Sequence, residues 1–290
     1  METFFSTLIN GLSLGGIYAM IALGYTMVYG IAKMLNFAHG DIIMVGGYTI
    51  FLFLFINPIV AIAAAIVFCV VIGILIEKLA YKPLRGSSPL AVLITAIGVS
   101  YLLQSFAQIL FGSATKFVEI ATFEKKLQLG AVSIDIPTII TLVCSAAVMA
   151  ALSIFVKYSK TGRAMIAVSE DKGAAQLMGI NVNTIIMITF AIGSALAALA
   201  GVFTLLKSPA ITPTFGAMPG IKAFTAAVIG GIGSIPGAMV GGLLLGIIET
   251  FSNAVPALSP YTDAVEFSIL IIVLLVKPTG LLGKKRREKV

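Results

Sequence analysis

The run IIMITFAIGSALAALAGVFTLL at positions 185–206 decides the fold. It holds no charged residue and no proline, and it matches the roughly 20 apolar residues that an α-helix needs to cross a hydrocarbon core. The short alternating segments of a membrane β-barrel look different. A helix also satisfies its backbone groups within the segment, as lipid requires. Comparable runs lie on either side, and together they predict membrane segments at roughly 5–31, 40–56, 59–77, 90–111, 137–157, 185–206, 221–249 and 263–277. Asn57-Pro58, the polar stretch 82–89 and Lys277-Pro278 separate or stop these runs.

Composition points the same way. Of 290 residues, 59% are hydrophobic and 11% are charged, and mean hydropathy is +1.09. A soluble domain carries about 25% charged residues. The chain therefore reads as one all-α, polytopic membrane domain over 1–290, with about eight segments that include broken or re-entrant helices. Cys69 and Cys144 lie inside apolar runs and read as small buried residues, forming neither a disulfide nor a metal site. Positions 1–10 lack a basic stretch and a cleavage pattern, so the first helix is expected to be retained.

Orientation follows from the basic residues. Of the 19 lysines and arginines, most fall in three groups. Lys78, Lys82 and Arg85 form the first, and Lys157, Lys160, Arg163 and Lys172 the second. The third is the tail 277–290, with Lys277, Lys284, Lys285, Arg286, Arg287 and Lys289. These segments, and so the C-terminus, are expected in the cytoplasm, where the tail also suits anionic lipid headgroups. Parity then constrains 221–249. If 185–206 runs outward and 263–277 runs inward, the stretch between them must begin and end outside. Its centre, Gly230-Gly231-Ile232-Gly233-Ser234-Ile235-Pro236-Gly237, would break a helix. Two short helices meeting at a Gly-Pro turn near or below the midplane are predicted.

A comparable interruption lies at Asn36-Phe37-Ala38-His39-Gly40-Asp41. Paired broken segments in two halves of a transporter mark a translocation path. The candidate path residues are therefore Asn36, His39, Gly40, Asp41, Gly230, Gly231, Gly233, Ser234 and Gly237. Ionisable groups at membrane depth point to function, but the same side chains could instead bond the freed backbone of the break. Small residues four apart, as at Gly11/Gly15, Gly193/Ala197/Gly201, Gly237/Gly241 and Gly242/Gly246, suit close helix packing in lipid. Gln104 and Gln108 suit interhelical hydrogen bonds.

Catalytic patterns fail on context. Gly11-Leu12-Ser13-Leu14-Gly15 resembles a nucleophile elbow, which needs a strand before it. There is no zinc-binding H-E-x-x-H and no phosphate-binding G-x-x-x-x-G-K-[ST]. If ATP drives transport, another chain binds it together with Mg, and this chain is expected to hold no cofactor and to be no enzyme. In the loop 158–183, Ser169, Asp171 and Lys172 suggest a helix start and Gly179 a stop. A helix that short is unstable alone and wants a partner.

The stretches NFAHGD (36–41), GRA (162–164), ED (170–171), GIN (179–181), KAFTAAVIGGIGSIPGA (222–238) and PTGLLG (278–283) resemble bacterial branched-chain amino-acid ABC transporter permeases. The resemblance runs essentially end to end, apart from the loop 113–136. It implies an inner-membrane subunit that works by alternating access on leucine, isoleucine and valine. Related permeases carry urea or short amides, and a stand-alone secondary transporter is the rival reading. The partners implied are a second homologous permease, two cytoplasmic ATPase subunits and a periplasmic substrate-binding protein, with no nucleic acid. It further implies that the loop docks on an ATPase through Gly162, Arg163, Ala164, Glu170, Asp171, Ala174 and Gly179.

Overall fold

A computed structural model describes residues 2–121, 126–129 and 132–283. Eleven α-helices follow one another among them. They are α1 (Glu2–Ala32), α2 (His39–Phe53), α3 (Pro58–Ile76), α4 (Pro89–Phe111), α5 (Ile136–Tyr158), α6 (Lys160–Glu170), α7 (Lys172–Leu177), α8 (Val182–Lys207), α9 (Ala217–Gly230), α10 (Ile235–Ala254) and α11 (Thr262–Val276). Seven stretches are long and apolar enough to cross a membrane, while α2 and α9 are apolar but shorter. The expected segment 221–249 is thus a short helix joined to a full-length one. From residue 284 onward the basic tail lies outside the described residues.

Local chemistry sets the helix starts. Asn57 accepts from the Ile59 N–H at 2.8 Å ahead of Pro58, and Ser88 caps α4 ahead of Pro89. Asn181 caps α8, and Ser234 caps α10. Each side chain satisfies one of the orphan N–H groups of a first turn. Between α3 and α4, Glu77–Tyr81 forms a π-helical turn.

Glycine seams hold the centre together. Helices α1 and α10 run antiparallel with their backbones nearly in contact. A Cβ on Gly15 would lie 2.7 Å from Leu243 Cα, and one on Gly246 would collide with the Gly15 backbone. On the other side of α1, Gly24 meets Gly193 of α8. Helix α8 in turn receives Gly73 of α3 against Ser194, and its own Gly201 packs on Ile43 of α2. Helices α4 and α11 are peripheral and keep most of their surface outside the core.

The all-α class holds, and short strands in the loop 113–136 and after α8 are the additions to it. Strands β1 (Lys116–Phe117), β2 (Lys126–Leu129), β3 (Val132–Asp135) and β4 (Ala210–Ile211) form two antiparallel pairs, β1 with β4 and β2 with β3. Both pairs are too short for a periodic signal. The first joins segments far apart in the chain, and it closes the end of the bundle opposite α6 and α7.

The seam makes a prediction. Gly246→Ala should lower the melting temperature of the detergent-purified protein, because overpacking costs about 1–3 kcal/mol. Gly98→Ala on α4 should leave the temperature unchanged or raise it, since nothing lies within 4 Å of a Cβ there. Differential scanning fluorimetry of both variants is the check.

Candidate functional site

At 1.5 Å per residue, α2 and α9 reach only about 22 and 21 Å, short of the roughly 30 Å hydrocarbon thickness. Their N-termini meet inside the bundle. A Cβ on Gly40 would lie 2.6 Å from the Gly216 carbonyl oxygen and 3.1 Å from Gly220 Cα. From that meeting point the two helices depart in opposite directions. Helix α2 leads to the β1–β4 end, where Tyr48 stacks on Phe111 at 4.3 Å and Gly47 meets Ile211. Helix α9 leads to the α6–α7 end, where the Ile229 and Gly230 carbonyls accept from the Leu281 and Leu282 N–H groups at 2.8 and 2.9 Å. Two positive helix ends therefore converge, which favours a carboxylate.

The polar residues of the first break surround this point. Asp41, in the first turn of α2, is buried and accepts from Ser100 and from Gln104, the latter at 2.9 Å. Gln104 is thus an interhelical hydrogen-bonding residue. Asn36 accepts from the Tyr81 hydroxyl at 2.8 Å, while its amide nitrogen is buried without a partner. His39 lies edge-on to Tyr25, with ring centroids 4.8 Å apart, and fills the notch left by Gly24 and Gly193. Its imidazole is packed between helices. Ser13, in the elbow-like Gly11–Gly15 pattern, is eleven residues earlier on α1 than Gly24, about 16 Å along the helix, so His39, which packs on Gly24, is not beside it to act as its base.

The second break occupies a different depth. Gly231 and Gly233 have φ of +110° and +93°, which an L side chain rarely adopts, and form the turn between α9 and α10. Gly230 faces Gly237 across it, Ser234 caps α10, and Gly231 packs on Gly283. This turn lies at the α6–α7 end, where Gly233 approaches Gly30 of α1. The backbone entering α9 at Gly216 meets Gly40 instead. The turn 230–237 is therefore not brought together with 36–41.

The loop after α5 is a helix pair. Ser159 caps α6 through the Gly162 N–H at 2.8 Å, and Asp171 caps α7 through the Ala174 N–H at 3.0 Å. Ser169, expected near a helix start, instead lies in the last turn of α6. Gly162 sits against the Phe155 and Val156 carbonyls, whereas Arg163 and Glu170 are exposed. Gly179, with φ of +81°, ends the segment. Leu177 is 91% exposed and Met178 is 81% exposed. Lys172 donates to the Ala32 carbonyl at 3.0 Å, and burial together with nearby Arg85 pushes its ammonium below the usual lysine range.

The family profile described as "Branched-chain amino acid transport system / permease component" matches residues 7–274. The chain belongs to this permease family. The permease is 44% identical to the high-affinity branched-chain amino acid transport system permease protein LivH of Escherichia coli strain K12, over 99% of its own length and 98% of that protein. It matches BraD of Pseudomonas aeruginosa, described in the same words, to the same extent. A probable branched-chain amino acid transport permease protein of Methanocaldococcus jannaschii is 28% identical over 91% of the permease and 88% of that chain.

The permease also contains a charged cluster that no local motif announces. Lys222 of α9 reaches Glu249 of α10 at 2.8 Å, and Asp263 and Glu266 of α11 at 2.9 and 3.3 Å. The Tyr18 hydroxyl donates to Glu249 at 2.6 Å. The cluster borders a polar cavity of about 160 Å³ and ties α9 to α10 and α11, and through Glu249 to α1. Removing one partner of a buried ion pair costs about 3–5 kcal/mol, because the other charge is left uncompensated. Lys222→Met should therefore destabilise the permease strongly, and adding Glu266→Gln should recover part of the loss. Thermal unfolding of the single and double variants is the measurement.

Proposed function

We propose that this permease is the membrane subunit of an ATP-driven importer that carries leucine, isoleucine and valine across the bacterial inner membrane by alternating access. The head-to-head meeting of α2 and α9 carries this reading, in a chain similar along its whole length to permeases named for branched-chain amino acid transport. Two helix N-termini offer about half a positive charge each. Asp41, held by two neutral donors, supplies a carboxylate beside them. Together they suit the carboxylate and ammonium of a zwitterion. The path residues are then Asn36, Gly40 and Asp41, with His39 bracing α2. Gly230, Gly231, Gly233, Ser234 and Gly237 form the hinge of the inner gate.

The basic α6–α7 end faces the cytoplasm in this reading, and so does the C-terminus. Leu177 at the end of α7 and Met178 just after it seat in one of two ATPase subunits that bind ATP and Mg. Two adjacent exposed apolar side chains at the end of a helix too short to be stable alone suit a docking surface. A second related permease completes the membrane unit, and a periplasmic binding protein delivers the substrate.

Proteoliposomes holding the permease with these partners should take up labelled leucine only with ATP inside and binding protein outside. Uptake without the ATPases, or uptake of urea in preference to leucine, would overturn the assignment. Leu177→Asp should abolish co-purification with the ATPases and leave the melting temperature of the permease alone unchanged. Unaltered co-purification would remove the docking assignment.

A further inference from the structure

The segment between α1 and α2 is held at two points by groups that lead back to the coupling helices. The first lies at its start. Lys172 opens α7, the helix that bears Leu177, and its ammonium donates to the carbonyl of Ala32, the last residue of α1. The next residue, Lys33, has φ of +61°, and no other non-glycine residue among those described has a positive φ. Its N–H bonds the Tyr29 carbonyl at 3.0 Å and closes α1 in the manner usual for glycine. The chain turns back there toward the N-terminus of α2.

The second point lies further along the same segment. Tyr81 is fully buried and donates to Asn36 Oδ1 at 2.8 Å, with the Leu35 carbonyl 3.4 Å away. Tyr81 closes the π-helical turn Glu77–Tyr81, a geometry that re-aims side chains and recurs at functional sites. The base of that turn is anchored as well. Glu77 pairs with Arg85, and Arg85 also bonds Asn183 in the first turn of α8, directly after the coupling helices. The start of α7 and the start of α8 are thereby tied to the approach to α2, one through Lys172 and the other through Asn183, Arg85, Glu77 and Tyr81.

We propose that Lys172 and Tyr81 are positioning residues that clamp the 33–38 segment and pass displacement of α7 to the N-terminus of α2. The proposal rests on the reading that α7 docks on an ATPase. A bond from an ammonium to a helix-end carbonyl is charge-assisted and directional, so movement of α7 pulls on Ala32. Tyr81 holds the far end of the segment, and the left-handed turn at Lys33 lies between the two holds. If the two contacts merely closed helix ends, their loss would lower stability and leave the link between hydrolysis and transport intact.

The test uses the full complex with its ATPases and binding protein in proteoliposomes. It reads leucine uptake and ATP hydrolysis together. Lys172→Met keeps the side-chain stem and removes the donor, and Tyr81→Phe removes one hydroxyl. Both should co-purify with the ATPases and keep hydrolysis near that of the unaltered complex. Uptake should fall about tenfold for Lys172→Met, the loss expected for a bond to a charged group, and about threefold for Tyr81→Phe, whose lost bond is neutral, so that ATP consumed per leucine rises by the same factors. Lys172→Arg should restore most of the coupling. Lys78→Met, an exposed site on the same π-helical turn, should behave as the unaltered chain. Uptake and hydrolysis falling in step would overturn the proposal, as would an unchanged ratio or failure of either variant to assemble. If the unaltered permease itself does not bind ATPases, the docking reading fails and takes this proposal with it.

Discussion

A helix that begins inside a membrane leaves its first N–H groups without partners, and lipid offers them none. That constraint governs this structure. Helices α2 and α9 both begin at depth, and each covers the start of the other. Gly40, Gly216 and Gly220 have no side chains, so the two backbones approach to contact. The seven long helices are the wall that keeps hydrocarbon away from this crossing. The glycine seam of α1 and α10 brings the wall close enough to do so.

Polar groups elsewhere repeat one pattern, in which a short element is fastened to a long one. Asp41 fastens α2 to α4, Lys222 fastens α9 to α10 and α11, and Arg85 fastens the π-helical turn to α8. Buried charge is a costly way to hold apolar helices together. It does fix register, which apolar packing between uniform helices specifies weakly. The short helices carry the candidate path, and they are the elements whose register matters most.

Much of this was legible in the sequence. Apolar runs such as 185–206 fix long helices because spanning requires length and nothing more. Basic-residue parity was enough to require a break within 221–249, and Gly231 and Gly233 supply it. Asp171 and Gly179 marked the limits of α7. The depth of each break was not legible. Glycine marks both a tight turn at the bundle end and a close approach at its centre, and local composition does not separate the two. Residues 212–216 carry no charge and no motif, although they lead into the helix that meets α2. Lys222 stood apart from the acids it pairs with, and β1 meets β4 only because distant segments share one end of the bundle. Each of these rests on contacts between residues far apart in the chain, which periodicity does not record.

The partnership of α1 with α10 bears on how the chain is made. Tyr18 and Glu249, which bond across that seam, are 231 residues apart. A ribosome delivers α1 to the membrane first and its main partner near the end. Until α10 is made, the glycine face of α1 lacks the backbone it packs against in the folded chain. The inner crossing closes only when α9 and α10 arrive as a pair. That pair begins at Ala217, in about the last quarter of the chain, so the crossing has only one of its two helices until then.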